Sequence, residues 1–261
     1  MKIALGLEYC GSNYSGWQSQ THAVSIQTEV EAALSSVADE NISVVCAGRT
    51  DAGVHALHQV IHFETSRQRQ PMAWVFGGNV HLPKDISLIW AKPVADDFHA
   101  RFSALGRGYR YVILNRAARP GVFASRMTWE YRHLNTELMN EAAACLLGEH
   151  DFSAYRGRDC QAKSPVRTVR RLEIKRHVEY VVIDIEANAF LHHMVRNIAG
   201  VLMAIGMGKA PVAWAREVLE ARERRLGGIT APPQGLYLRT IEYPESYQIP
   251  GNAGIDWPLI I

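Results

Sequence analysis

Only four cysteines occur in the 261 residues, Cys10, Cys46, Cys145 and Cys160, and no two are spaced as CxxC. That scatter excludes a disulfide scaffold or a zinc knuckle and leaves ordinary reduced thiols. Long hydrophobic runs are missing too: the most apolar stretch, 198–207, is broken by Gly200 and Gly206 and is too short to span a bilayer. The opening MKIALGLEY alternates apolar and polar residues instead of forming the apolar run of a signal peptide. A cytoplasmic protein with no membrane partner is therefore expected. The sequence contains no GxxxxGK[ST] phosphate loop, no GxGxxG after a strand and no nucleophile elbow, so no nucleotide cofactor is expected.

What is present is a core-forming composition, 48% apolar over a length between one large domain and two small ones. Net charge is only +2, but it is unevenly spread. Residues 1–100 carry 6 basic and 10 acidic side chains, residues 101–176 carry 15 and 7, and residues 177–261 carry 7 and 9. The middle excess is mostly arginine, including Arg101, Arg107 and Arg110, interleaved with Phe102, Tyr109 and Tyr111. Arginine with aromatic side chains suits phosphate and base contacts, although a solvated charged face has the same composition.

Periodicity gives the order of elements. Ile3, Leu5 and Leu7 alternate as in a strand, and Ser25 is placed to cap a helix through Ile26, Val30, Ala33, Leu34 and Val37. Strands ISVVCA and QVIHFE, a helix opened by Pro71 and a strand at 86–90 complete β-α-β-β-α-β. A similar order is expected again: a strand at 127–132, a helix at 135–147, strands at 166–175 and 180–186, a long helix at 189–205, a charged helix at 213–224 and a last strand, LYLRTIEY. The expected class is α+β, two ferredoxin-like or RRM-like βαββαβ halves with antiparallel sheets and a central basic cleft. The halves are placed at residues 1–105 and 106–245, with a tail at 246–261.

The chemistry-bearing stretch is GRTDAGVHALHQ, residues 48–59. Arg49 and Asp51 are two apart after a strand, so both point to one side, and Gly48 and Gly53 let the chain turn around them. A turn-capping aspartate is the plain alternative. Asp51, His55, His58 and His62 have the spacing of one helical face, but 60–65 reads as a strand, which disfavours a metal site. His192 and His193 are adjacent on the expected long helix, about 100° apart, and form no chelating pair. Arg196 lies beside that helix's apolar stripe, with Gly200 leaving the face open to close approach. Tyr109 and Tyr111 share a strand face, and YCGSNYSGWQSQ is long enough to be a binding loop.

The segments YCGSNYSGWQSQ, GRTDAGVHALHQVIHF, NVHLPKDI, DFHARFSALGRGYRY, HDFSAYRGRDC, SPVRTVRRL, NAFLHHMVRNIAG and APPQGLYL run in order from about Leu7 to Tyr243. Together they resemble the bacterial tRNA pseudouridine synthase A family. The resemblance implies an isomerase that converts uridine to pseudouridine at positions 38–40 of the tRNA anticodon stem-loop, without cofactor or metal, as a homodimer. It implies Asp51 as the catalytic residue, Arg49 in displacing the target base, Tyr109 packing on the uracil and Arg196 pairing with the catalytic carboxylate. Arg69, Arg101, Arg107 and Arg110 are the candidate RNA contacts. His58 departs from the family pattern, standing where a small residue is expected. The rival is a non-catalytic RNA-binding protein with two RRM-like units, in which Asp51 only caps a turn.

Overall fold

The computed structural model describes residues 1–251; residues 252–261 of the expected tail lie outside the described residues. The chain divides into two compact units: Met1–Gly106 with the segment from Tyr237 onward, and Arg107–Leu236. Strand pairing is mostly antiparallel in each and helices are interspersed, which makes the class α+β.

In the first unit β1 (Lys2–Tyr9) lies between β3 (His55–Glu64) and β4 (Ile86–Val94), antiparallel to both, with Leu5 opposite Ile61 and Ala91. Strand β1 is buried on both faces, so its alternation of Ile3, Leu5 and Leu7 shows only half of its packing. At Gly6 a Cβ would lie 2.1 Å from the Trp90 indole, so glycine is what admits the ring. Helix α1 (Ile26–Ala38) starts where expected, with Ser25 accepting from the Thr28 amide, and buries Ile26, Val30, Ala33 and Leu34. Helix α2 (Pro71–His81) begins on Pro71 and packs on α1 and β4.

Two departures from the periodic reading in this unit have identifiable causes. Of ISVVCA only Val45–Cys46 is a strand, β2, paired with β3. The reason lies in α1, whose Ser35 and Glu31 side chains accept the Ile42 and Val44 amides that a ladder would otherwise use. Strand β3 starts at His55, four residues before QVIHFE, because its first residues pair in parallel with β10 (Leu236–Glu242): Tyr237 opposes His55 and Leu238 opposes Ala56. The last strand, expected to complete the second half, thus joins the first unit's sheet. Within the expected tail, Lys92 Nζ donates to the Tyr247 and Gln248 carbonyls, and the Tyr247 ring packs edge-on against Phe98.

In the second unit β5 (Gly106–Asn115) pairs with β9 (Tyr180–Ala187), β9 with β8 (Val166–His177), and β8 with β7 (Gly148–Asp151), all antiparallel. A short β6 (Thr128–Glu130) runs parallel to β5. Strand β7, GEHD, has no apolar alternation and could be found only through its partner. Helix α3 (Thr136–Ala143) is capped by Asn135, whose side chain accepts two amides, and packs on α4 (Met194–Gly206) and β8; α5 (Trp214–Ala221) follows. Helix α4 starts five residues later than expected, after His193 in the left-handed region at φ 61. His192 and His193 therefore precede the helix, their rings 3.8 Å apart. No helix among the described residues is long and apolar enough to cross a membrane.

Candidate active site

Asp51 lies in the turn between β2 and β3, half-buried, and Arg49 in the same turn is exposed. The turn is held from three directions. Gly53 takes φ 77, and the Asp51 carbonyl accepts from the Val54 amide at 3.1 Å. From the start of the loop that follows β1, Trp17 donates its amide to the Thr50 carbonyl at 3.0 Å, and Gly53 donates to the Tyr14 carbonyl. Gly16, at φ 96, comes so close that a Cβ would lie 2.7 Å from the Thr50 carbonyl oxygen. From β3, the fully buried Gln59 grips both backbone groups of Gly48: Nε2 donates to the carbonyl and Oε1 accepts from the amide. Thr50, next to Asp51, shares a 2.8 Å hydroxyl bond with Tyr9.

The loop after β1 is itself tied down by Asp85, which accepts from the Tyr14 hydroxyl at 2.6 Å and from Asn13 Nδ2 at 3.1 Å, while its carbonyl accepts from the Cys10 amide. Burial and the Asp85 carboxylate push the Tyr14 hydroxyl well above the ordinary phenol range, keeping it a donor. Asp85 lies in NVHLPKDI, and its role shows only once the loop after β1 is seen to fold back on it. The signal for Gln59 was present, a polar residue inside an apolar strand.

The histidines of this stretch lie on a strand, not on a helical face. His55 Nδ1 accepts from the Gly11 amide at 3.1 Å and its ring stacks on Tyr237, 4.6 Å between centroids. His62 Nδ1 accepts from the Ala100 amide. His58 is 2% exposed, and neither ring nitrogen is in hydrogen-bonding geometry with a described partner. Burial holds its pKa down to about 4, a shift the Pro250 backbone opposes only in part. These placements give the three rings packing roles.

In the second unit Tyr109 lies on β5, 9% exposed, with Phe190 edge-on at 5.0 Å. Arg196 lies in the first turn of α4, half-buried. Its Nε donates to the Ala231 carbonyl at 2.8 Å, and its own carbonyl accepts from the Ala231 amide at 3.0 Å. The close approach expected at Gly200 is made by this same irregular segment, since a Cβ there would lie 1.8 Å from the Ile229 carbonyl oxygen. Asn197 completes the support: Nδ2 donates to the Tyr155 carbonyl, and Oδ1 accepts from Arg224 and Thr230. A buried asparagine on an apolar helix face was the sequence signal for it.

The candidate RNA contacts separate by environment. Arg69 and Arg101 are exposed, Arg101 with its guanidinium 5.5 Å from the Phe102 ring centroid. Arg107 is half-buried and donates to the Asn188 carbonyl. Arg110 corrects the expectation: it is 4% exposed and bonded through two nitrogens to Asp184. Its place on β5 puts it on the face shared with Asp184 and Glu173, one residue out of phase with Arg107 and Tyr109.

A family model described as tRNA pseudouridine synthase matches residues 7–103 and 142–244. The chain is 58% identical over 250 residues to the tRNA pseudouridine synthase A of Nitrosococcus oceani, covering 96% of each protein. It is 54% identical over 252 residues to that of Legionella pneumophila, covering 97% of this chain and 96% of the relative. Against that of Pseudomonas aeruginosa it is 55% identical over 250 residues, 95% and 88% of the two. Both matched regions include the turn or helix described above, Asp51 in the first and Arg196 in the second, and on this extent of agreement the chain belongs to the tRNA pseudouridine synthase family.

Proposed function

We propose that this protein isomerises uridine to pseudouridine at positions 38–40 of the tRNA anticodon stem-loop, with Asp51 as the catalytic carboxylate. Membership of a family of tRNA pseudouridine synthases supplies the isomerase reaction. The ribose C1′–N1 bond breaks and a C1′–C5 bond forms, C5 loses a proton and N1 gains one. Redox state does not change, so the balance calls for no hydride or electron carrier. A carboxylate serves as nucleophile toward sugar or base, or as the base that removes a sugar proton.

The observation that carries the reading is the construction around Asp51: a turn gripped by Gln59, Gly16 and Trp17, with the acid itself left half-buried. A mere turn cap needs no such scaffold, whereas a reacting group must be held in one geometry. Arg196, on residues 106–245, acts as the partner cation for Asp51, on residues 1–105. The two parts act as ferredoxin-like halves flanking a basic cleft. Tyr109 offers an aromatic face to the freed uracil, and exposed Arg49 fills the space left by the extruded base, whose unstacking costs a few kcal/mol. Arg69, Arg101 and Arg107 attract phosphate. The protein works as a cytoplasmic homodimer.

The test is tritium release from C5-labelled uridine in tRNA. Wild-type protein releases label; Asp51→Ala binds tRNA with little change yet loses on the order of 10⁴-fold or more in kcat, as expected for a group acting directly on the reacting atoms. A wild-type protein that binds tRNA and releases no label would establish the non-catalytic RNA-binding alternative.

A further inference from the structure

Four arginines frame an open cleft in the second unit. Its lining consists of Ser153, Arg156, Gly157, Arg158, Arg222 and Arg224, around a volume of about 320 Å³. None of the lining residues is acidic. Like charges gathered around one cleft repel, and an anion among them relieves that repulsion. Asp151 is the carboxylate that approaches: it lies 3.8 Å from Arg222 Nε. Burial would raise its pKa, but hydrogen bonds from Ser153 and the guanidiniums of Arg222 and Arg156 more than offset that and hold it below the usual range. Glu223, between two of the arginines in sequence, pairs instead with Arg225 at 2.7 Å. Among the described ion pairs, Asp151 is the carboxylate set against these four guanidiniums, which leaves a positive excess.

The cleft is also built rather than accidental. Arg222 sits in the left-handed region at φ 55 after α5, which turns the chain so that Arg222 and Arg224 both reach the cleft. Arg224 is fixed through one nitrogen, Nη2, to Asn197 Oδ1 and Thr230 Oγ1, both at 2.9 Å. On the opposite side Gly157 donates to the His192 carbonyl at 2.6 Å, and a Cβ there would lie 2.8 Å from His192 Nδ1. Glycine therefore lets the Arg156–Arg158 segment settle against 192–193. One wall is anchored to α4, Arg224 through Asn197, and the other to the residues just before it, Gly157 through His192, on either side of Arg196.

We infer that this cleft is a phosphodiester subsite, which takes a sugar–phosphate segment of the tRNA backbone and seats it against the part of α4 that carries Arg196. The volume exceeds the roughly 30 Å³ of a water many times and lies at the small end of ligand pockets, enough for a nucleotide-sized backbone unit. An open form suits a passing polymer better than an enclosed small molecule. Planar guanidiniums bind phosphate oxygens in pairs, and the contact reads no sequence, as befits a positioning site. The inference rests on the tRNA reading above but not on the catalytic role of Asp51.

The test is tRNA binding by the full-length protein across about 50–300 mM salt, compared for wild type, Arg156→Ala/Arg158→Ala, Arg222→Ala and Arg156→Lys/Arg158→Lys. Each phosphate contact contributes about 0.7–0.9 to the slope of log affinity against log salt, so the double alanine variant is expected to flatten the slope by about 1.5 and weaken binding roughly tenfold or more at the lower salts. Arg222→Ala should flatten it by just under one contact, and the lysine variant, which keeps the charge, should retain most of the slope. An unchanged slope and affinity in the alanine variants, with melting temperatures like wild type, overturns the subsite. So does a weakened affinity with an unaltered slope. Product formation by wild type, followed separately, decides the enzymatic reading: a protein that makes pseudouridine while these slopes stay fixed loses the subsite alone.

Discussion

Arg110 and Asp184 stand directly opposite each other in the β5–β9 ladder and close a two-pronged ion pair, Nε to Oδ1 at 2.8 Å and Nη2 to Oδ2 at 2.9 Å. Both residues are buried, so removing one leaves an uncompensated charge rather than a lost surface contact. Arg110→Ala should destabilise the protein by about 3–5 kcal/mol in chemical denaturation, and Arg110→Met with Asp184→Leu should recover much of that. Arg107→Ala should instead leave stability nearly unchanged and flatten the salt dependence of tRNA binding by about 0.7–0.9. Salt titrations in which Arg110→Ala moves the slope and Arg107→Ala does not would reverse these assignments.

Arg196→Ala should lower kcat by about 10²–10³ while tRNA affinity changes only a few-fold, the signature of a group stabilising charge at the reacting centre. The substitution also removes the Nε bond to the Ala231 carbonyl. Arg196→Lys, which keeps the charge without that geometry, should fall between the two. A Kd that worsens as steeply as kcat falls argues against the partner role.

Gly16→Ala tests the scaffold without touching the acid. Gly16 is at φ 96 and its missing Cβ would press on the Thr50 carbonyl, so alanine should cost about 1–3 kcal/mol in stability. If the turn shifts in response, kcat should drop by up to about 100-fold with little change in tRNA affinity. Full activity in Gly16→Ala would mean that the turn does not depend on this contact.

Burial keeps the His58 pKa down at about 4 against an ordinary 6.5. The unfolded chain therefore binds more protons between these values, stability rises with pH through that window, and the contribution is complete above about 6.5. Acidification from pH 6.5 to 4 should cost on the order of 3 kcal/mol through this residue. His62, lowered to about 4 by burial, then by His99 and Lys2, adds to the same trend. In urea denaturation across this range, His58→Leu should show a visibly flatter pH dependence while His62 maintains part of it. Parallel curves for wild type and His58→Leu would contradict the burial argument.

Much of the local structure was legible because it depends on neighbours in sequence. Ser25 and Asn135 cap their helices as their side-chain chemistry requires, and Pro71 opens α2. Gly200 announced a close approach, and one is made. Errors occurred where distant segments decided the outcome. Strand β3 is lengthened by Tyr237 and Leu238, ISVVCA is kept short by side chains of α1, and β7 exists only through β8. Arg107 and Arg110 look equivalent in a basic run, yet a strand sends them to opposite faces, and Asp184, 74 positions away from Arg110, receives one of them.

The sequence by itself determined the Ser25 and Pro71 helix starts, most of the order of elements and the motif that sets Asp51 in a turn, because propensity, capping and periodicity act over a few residues. Tertiary structure alone decided which arginines are solvent-facing and which are buried with a carboxylate, that Gln59 and Gly16 hold the Asp51 turn, and that Arg156, Arg158, Arg222 and Arg224 gather around one cleft. Burial, ion pairing and field strength depend on distance in space, and separation along the chain carries little of that information.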